Sequence, residues 1–276
     1  MSFKRLAAIN GQNKVSTDLL TTVLVMFLWA LCFPLISIGL TTVPPMYFAT
    51  LRAFVAGTSL VALAFILHRP FPCNGRVWLK LVGIGLGTTS LGFGGMFLAG
   101  GIVSPGIATV LANSQPLIAA VLAYFVLGER LDPPVRIGLS LGFAGIILTA
   151  FASLGSQNTT NPLLGPIYIL LGALGVAVGN VLLKSLVEEI DPLVAVGCQF
   201  LIGALPLLFL SLAFESPIKI VWSLPFIVDL LVLSLFGTAL AFVLWFSLMH
   251  RNKLTRLNTF TFLTPGFWPY DWRNLL

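Results

Sequence analysis

The sequence predicts an all-α polytopic membrane protein of about nine spanning helices. They are arranged as two inverted five-helix repeats, the second incomplete. Three observations carry this. Of 276 residues, 58% are hydrophobic and 9% charged, with mean hydropathy +1.02. A soluble domain is roughly 25% charged, so this chain cannot clothe a water-facing surface. Apolar runs long enough for the ~20 residues of a spanning helix recur from residue 19 onward. They are continuous rather than alternating, which favours helices over a β-barrel. Finally, two internal similarities recur at nearly one offset.

Helix one is expected at about 19–40, after the polar, basic segment 1–18, "MSFKRLAAINGQNKVSTD". Its apolar run is too long for a signal-peptide core and lacks a small-x-small cleavage site, so it reads as an uncleaved helix. The others are expected at about 44–67, 78–100, 104–128, 133–153, 163–185, 192–213, 224–248 and 252–268. Pro44-Pro45, Pro133-Pro134 and Pro192 stand at helix starts, where a missing N–H costs nothing. The predicted organisation is a cytoplasmic segment 1–18, a first repeat 19–153, an outer linker 154–162 and a second repeat 163–276.

The net charge is +6. Its placement argues for the positive-inside rule rather than for nucleic acid. With the N-terminus in the cytoplasm, Lys4, Arg5, Lys14, Arg69, Arg76, Lys80, Arg130, Arg136, Lys184, Arg251, Lys253 and Arg256 all fall at the inner face. Only Lys219 is left outside. The sequon at Asn158 falls on the outer side and carries little weight.

The repeat rests on two alignments. "LANSQPLI" (Leu111–Ile118) matches "FTFLTPGF" (Phe260–Phe267), pairing Pro116 with Pro265 at an offset of 149. "TTVPPMYFATLRAF" matches "EEIDPLVAVGCQFL", pairing Pro45 with Pro192 at an offset of 147. A five-helix unit makes the second copy insert upside down. Inverted repeats of this kind place a substrate site at their interface near mid-membrane.

At these residues a resemblance enters. "FLWALCFPLISIGLTTVPPMYFATLRAFVAG" followed by "GIATVLANSQPLIAAVLAYFVLGERL" resembles the first half of an EamA-type transporter of the drug/metabolite transporter superfamily. It covers most of residues 20–265. The resemblance implies a ten-helix carrier of a bacterial plasma (inner) membrane, with both termini cytoplasmic. It also implies a small-molecule metabolite as substrate, often moved outward and often coupled to an ion gradient. The substrate is left open. Partners expected are that small molecule and the lipid bilayer, with no nucleic acid; a homodimer stays open. The alternative is a non-transporting truncated membrane protein or helix-bundle partner.

Arg52 lies well inside helix two. A cation there costs several kcal/mol in hydrocarbon and should face a cavity or partner. It reads as an anion anchor gripping a carboxylate or phosphate, or as a side chain snorkelling to a headgroup. Its repeat counterpart is Gln199. Asn113, Ser114 and Gln115 precede Pro116, which frees the Ala112 carbonyl and disfavours helical geometry at Gln115. They read as substrate contacts or as interhelical hydrogen bonds; Thr264 before Pro265 is the weaker mirror image. The expected substrate-binding set is Arg52, Asn113 and Gln115, with Trp29 shaping the cavity and Trp245 a further lining candidate.

Asn180 and Lys184 share a face of helix six, Lys184 snorkelling to the cytoplasm. Glu129 and Arg130 of "GER" read as an inner-end cap and interface pair, which the resemblance places outside the pathway. Asp229 reads as a hydrated interfacial carboxylate. The small-residue runs Gly83–Gly95 and Gly138–Gly145 predict close helix contact. Cys32, Cys73 and Cys198 form no framework. No metal or catalytic constellation appears, so neither a cofactor nor an enzyme is expected.

The closing stretch "FLTPGFWPYDWRNLL" (Phe262–Leu276) turns abruptly polar. By the repeat offset, a counterpart of "GER" and a tenth helix should follow it. Back-translated one base late, Phe267–Leu276 can read "FGLMIGGIF", apolar and glycine-spaced like the "LIAAVLAYF" after Pro116. A frameshift near Gly266 is therefore expected, with an early stop or a real end as alternatives.

Overall fold

A computed structural model describes residues 3–100, 102–103, 105–130, 133–155, 163–215 and 220–261. Asn158, Lys219, Thr264, Pro265 and the closing stretch lie outside them. The described residues form helices joined by short loops, without strands. In order they form α1 (Phe3–Gly39), α2 (Pro45–Ile66), α3 (Gly75–Ile84), a π segment (Gly85–Leu91) and α4 (Gly92–Gly100). Then come α5 (Pro105–Ala112), α6 (Ser114–Val126), α7 (Pro133–Gly155), α8 (Leu164–Lys184) and α9 (Pro192–Phe214). The chain continues through α10 (Leu224–Ser234), a second π segment (Leu235–Leu240), α11 (Ala241–Arg251) and α12 (Leu254–Phe260).

Six stretches are long and apolar enough to cross a membrane: Thr17–Gly39, Pro45–Ile66, Gly75–Ala99, Leu164–Lys184, Pro192–Phe214 and Leu224–Arg251. Val110–Val126 and Arg136–Leu148 are shorter apolar helices. The molecule is a polytopic helical membrane protein.

Local chemistry sets the helix starts. Pro45 opens α2 after an extended Pro44, and Asp191 accepts from the Leu193 N–H at 2.9 Å to cap α9. Two expectations shift. Helix one begins at Phe3 rather than near 19, because adding residues to an existing helix is cheap and residues 3–18 contain no proline. Helix four is interrupted at Asn113, not at Gln115, which is helical. The chain seats Pro116 in the first turn of a new helix, where its missing N–H has no intrahelical partner to lose.

The core is built on α2 against α9, where Phe48, Ala53, Ala56 and Leu60 meet buried Val194, Phe200, Ala204 and Leu207. Both ends of this antiparallel pair are tied. Glu215 accepts from the Met46 and Tyr47 N–H groups at 2.8 and 2.9 Å, and Arg69 lies 3.7 Å from Asp191. Glu129 likewise accepts from the N–H groups of Leu254 and Thr255 at 2.9 and 3.0 Å, capping α12 from the end of α6.

The first glycine run packs tightly. A Cβ on Gly87 would stand 2.6 Å from the Gly175 carbonyl oxygen, and one on Gly95 would stand 2.3 Å from that of Tyr168. The second run departs from expectation. A Cβ on Gly138 or Gly145 would meet nothing within 4 Å, because α7 packs chiefly on α5 and α6 and turns these glycines away.

Candidate functional site

A cavity of about 160 Å³ sits inside the bundle. Its lining draws on α1, α2, the first π segment, α4, α5, α6, α8 and α11, with Thr261. Arg52, Asn113, Gln115 and Trp29 all contribute to it.

Arg52 is 2% exposed, so it turns inward and does not snorkel to a headgroup. Its Nε donates to Thr238 Oγ1 at 2.7 Å, and its Nη2 to Cys32 Sγ at 3.3 Å. Thr238 donates its own proton to the Leu233 carbonyl, five residues back, at 2.9 Å. Its lone pairs are thereby left for the guanidinium, an orientation the π segment provides. The guanidinium carbon lies 4.3 Å from the Phe93 ring centre and 5.8 Å from that of Phe97, within cation–π range. Nη1 has no partner.

Trp29 is half-buried, edge-on to Phe242 at 5.5 Å and tilted against Trp245 at 5.1 Å, with its indole N–H unpartnered. Trp245 is fully buried behind it and is not part of the lining. Asn113 is buried at the helix interruption, and Gln115 Nε2 is unpartnered. Three lining residues escaped the site reading. Thr88 and Asn180 are buried with an unpartnered hydroxyl and amide oxygen, respectively. Cys32 was visible only as a thiol in an apolar run. Asn180 was read only as a neighbour of Lys184 on one helix face, and Thr88 had only the "GTTS" of its π segment.

Asp229 corrects the sequence reading: it is 6% exposed, not interfacial and hydrated, and neither oxygen has a hydrogen-bond partner. It packs beside Gly39, whose Cβ would stand 2.7 Å from Asp229 Oδ2, because α1 and α10 close over it. It does not line the cavity. Lys184 also departs from simple snorkelling. Its ammonium donates to the carbonyls of Met249 and, at 2.9 Å, of Asn252, closing the C-terminal end of α11. No group of three or more His, Cys, Asp or Glu able to hold a metal occurs among the described residues.

An all-helical, polytopic membrane protein with a mixed polar and apolar cavity inside the bundle has the form of a small-molecule carrier. The EamA-like transporter family model matches the chain twice, over residues 17–151 and 163–268. The chain belongs to that family, a family of membrane transporters rather than enzymes. It is 33% identical over 249 residues to a WAT1-related chloroplastic protein of Arabidopsis thaliana, covering 87% of this chain and 59% of that protein. The chain thus spans under two thirds of this relative's length. An uncharacterized transporter of Synechocystis is 30% identical over 281 residues, covering 93% and 82%. A probable amino-acid metabolite efflux pump of Salmonella typhimurium is 30% identical over 253 residues, covering 88% and 81%. A solved crystal structure shares the fold at TM-score 0.69 and 21% identity, covering 91% of this chain and 85% of that one.

Proposed function

We propose that this chain is a secondary transporter that exports a small metabolite across a bacterial plasma membrane by alternating access. The N-terminus is cytoplasmic, and the repeats 19–153 and 163–276 rock about the cavity. Arg52, Asn113 and Gln115 contact the substrate, and Trp29 shapes its berth. The observation that carries this reading is the cavity itself, lined from both segments that match the family model.

Further features support the inverted repeat. The two π segments, Gly85–Leu91 and Leu235–Leu240, start 150 residues apart, close to the 147 and 149 of the sequence repeat. Each packs against the other half: Thr238 holds Arg52 of α2, while a Cβ on Gly203 of α9 would stand 2.4 Å from Thr89 Cβ. π turns inside α-helices concentrate at functional sites. The outward direction is supported by the relative named an efflux pump.

The test is counterflow in proteoliposomes holding the purified chain, against a metabolite panel. Saturable exchange of at least one compound is expected, reduced in Arg52→Gln. Absence of exchange across the panel in well-folded, sealed preparations overturns the carrier reading.

A further inference from the structure

We propose that the cavity takes a small, mainly apolar molecule bearing a single carboxylate, and that Arg52 receives that carboxylate. This rests on the carrier reading and adds the class of its substrate. Charge is the first argument. Arg52 is the one charged side chain among the described lining residues, and no Asp or Glu joins it. A ligand ammonium would meet a cation and no counter-charge in a medium of low dielectric. A second carboxylate on the ligand would find no second cation. Asp229 attracts the guanidinium electrostatically from outside the lining, but it makes no hydrogen bond to Arg52 among the described residues, and Nη1 keeps a donor without a partner.

Hydrogen-bond capacity is the second argument. Three buried N–H donors of the lining have no partner: Arg52 Nη1, Trp29 Nε1 and Gln115 Nε2. Among the same fully buried side-chain atoms of the lining, one acceptor lacks a partner, Asn180 Oδ1, besides the Thr88 hydroxyl. An excess of donors calls for an acceptor-rich group, and a carboxylate accepts through both oxygens and donates nothing. Asn180 is left for one hydroxyl or N–H on the same molecule.

Size and surface complete the picture. The volume of about 160 Å³ is close to the ~150 Å³ of an engineered apolar cavity that admits benzene. Phe33, Ile36, Phe93, Met96 and Phe242 supply apolar wall for a body of that size.

The test uses the purified full chain and four probes of one body size: phenylacetate, phenylacetamide, 2-phenylethylamine and phenylmalonate. Binding is read by ligand-induced thermal shift, and turnover by counterflow. Phenylacetate is expected to bind at least about tenfold more tightly than the amide, the amine or the dianion. Arg52→Gln should bring acid and amide to equal affinity. The proposal is overturned if the amide or amine matches the acid, if acid preference survives in Arg52→Gln, or if none of the four binds. Should Arg52→Gln fail to fold, the acid-to-amide ratio of the unaltered chain decides alone. Acid-selective binding without counterflow of any compound would uphold the ligand class and sink the carrier reading. Counterflow of the amine in preference to the acid would do the reverse.

Discussion

At the residue scale, Arg52 shows how an apolar context makes a buried charge legible. One guanidinium within a hydrophobic helix had to find partners, and the fold supplies a hydroxyl, a thiol and an aromatic face. Asn113, Gln115 and Trp29 were legible for the same reason: polar atoms are rare here, so each one carries information. Thr238 and Asp229 were not legible, because their roles depend on which neighbours the tertiary packing brings. Thr238→Val should leave a folded protein but free the Arg52 Nε, slowing counterflow several-fold. Full exchange by that variant would show the bond to be incidental. Glu129→Gln keeps the shape of the α12 cap and removes its charge. The expected loss is about 1 kcal/mol, as for other caps, seen as a lower thermal midpoint in detergent; an unchanged midpoint would mean the cap contributes nothing.

At the element scale, the long apolar helices followed from composition, whereas the two π segments did not. "GIGLGTTSL" carries no signal distinguishing a π turn from an α turn. The wider turn forms where Gly85 and Gly87 meet the backbones of α9 and α8, a contact between distant parts of the chain. Glycine spacing alone also misled, since Gly138 and Gly145 look outward. Gly203→Ala should therefore destabilise by about 1–3 kcal/mol, its Cβ meeting the Gly85 carbonyl oxygen at 2.3 Å. Gly138→Ala should instead stabilise by up to about 1 kcal/mol. Thermal unfolding of both variants checks the contrast in sign. A sharper case is Gln199, which the sequence repeat aligns with Arg52 at an offset of 147. It is fully buried with both amide atoms unpartnered, and nearby Thr89 has an unpartnered hydroxyl. If the repeats exchange conformations, Gln199 finds Thr89 in the opposite state, as Arg52 finds Thr238 in this one. Gln199→Leu, of similar volume, should raise the thermal midpoint, because an unsatisfied polar group disappears, and should slow counterflow. A raised midpoint with unaltered turnover would remove Gln199 from the cycle.

At the scale of the whole molecule, the helix ends segregate by chemistry. Arg69–Asp191, Lys80–Glu189, His250–Glu188 and Arg251–Asp18 all lie at one end of the bundle, joined there by the Glu129 cap and the Lys184 tie. The opposite end, where Thr42 meets Val221 and Glu215 caps α2, shows no basic side chain among the described residues. The cavity lies between the two ends: its lining runs from Trp29 to Ser37 in α1, from Ile169 to Asn180 in α8, and takes in Phe242 and Thr261. In the orientation proposed above, the positive-inside rule makes the charged end cytoplasmic, and the polar ties then close the inner side. The chain carries its own probe of this orientation. Cys73 is exposed in the loop between α2 and α3, at the charged end, while Cys32 and Cys198 are buried. A membrane-impermeant maleimide should leave intact spheroplasts unlabelled and label Cys73 in inverted vesicles, and Cys73→Ser should abolish that signal. Labelling of Cys73 from outside intact spheroplasts would invert the proposed topology and reverse which face the Glu129 and Lys184 contacts close.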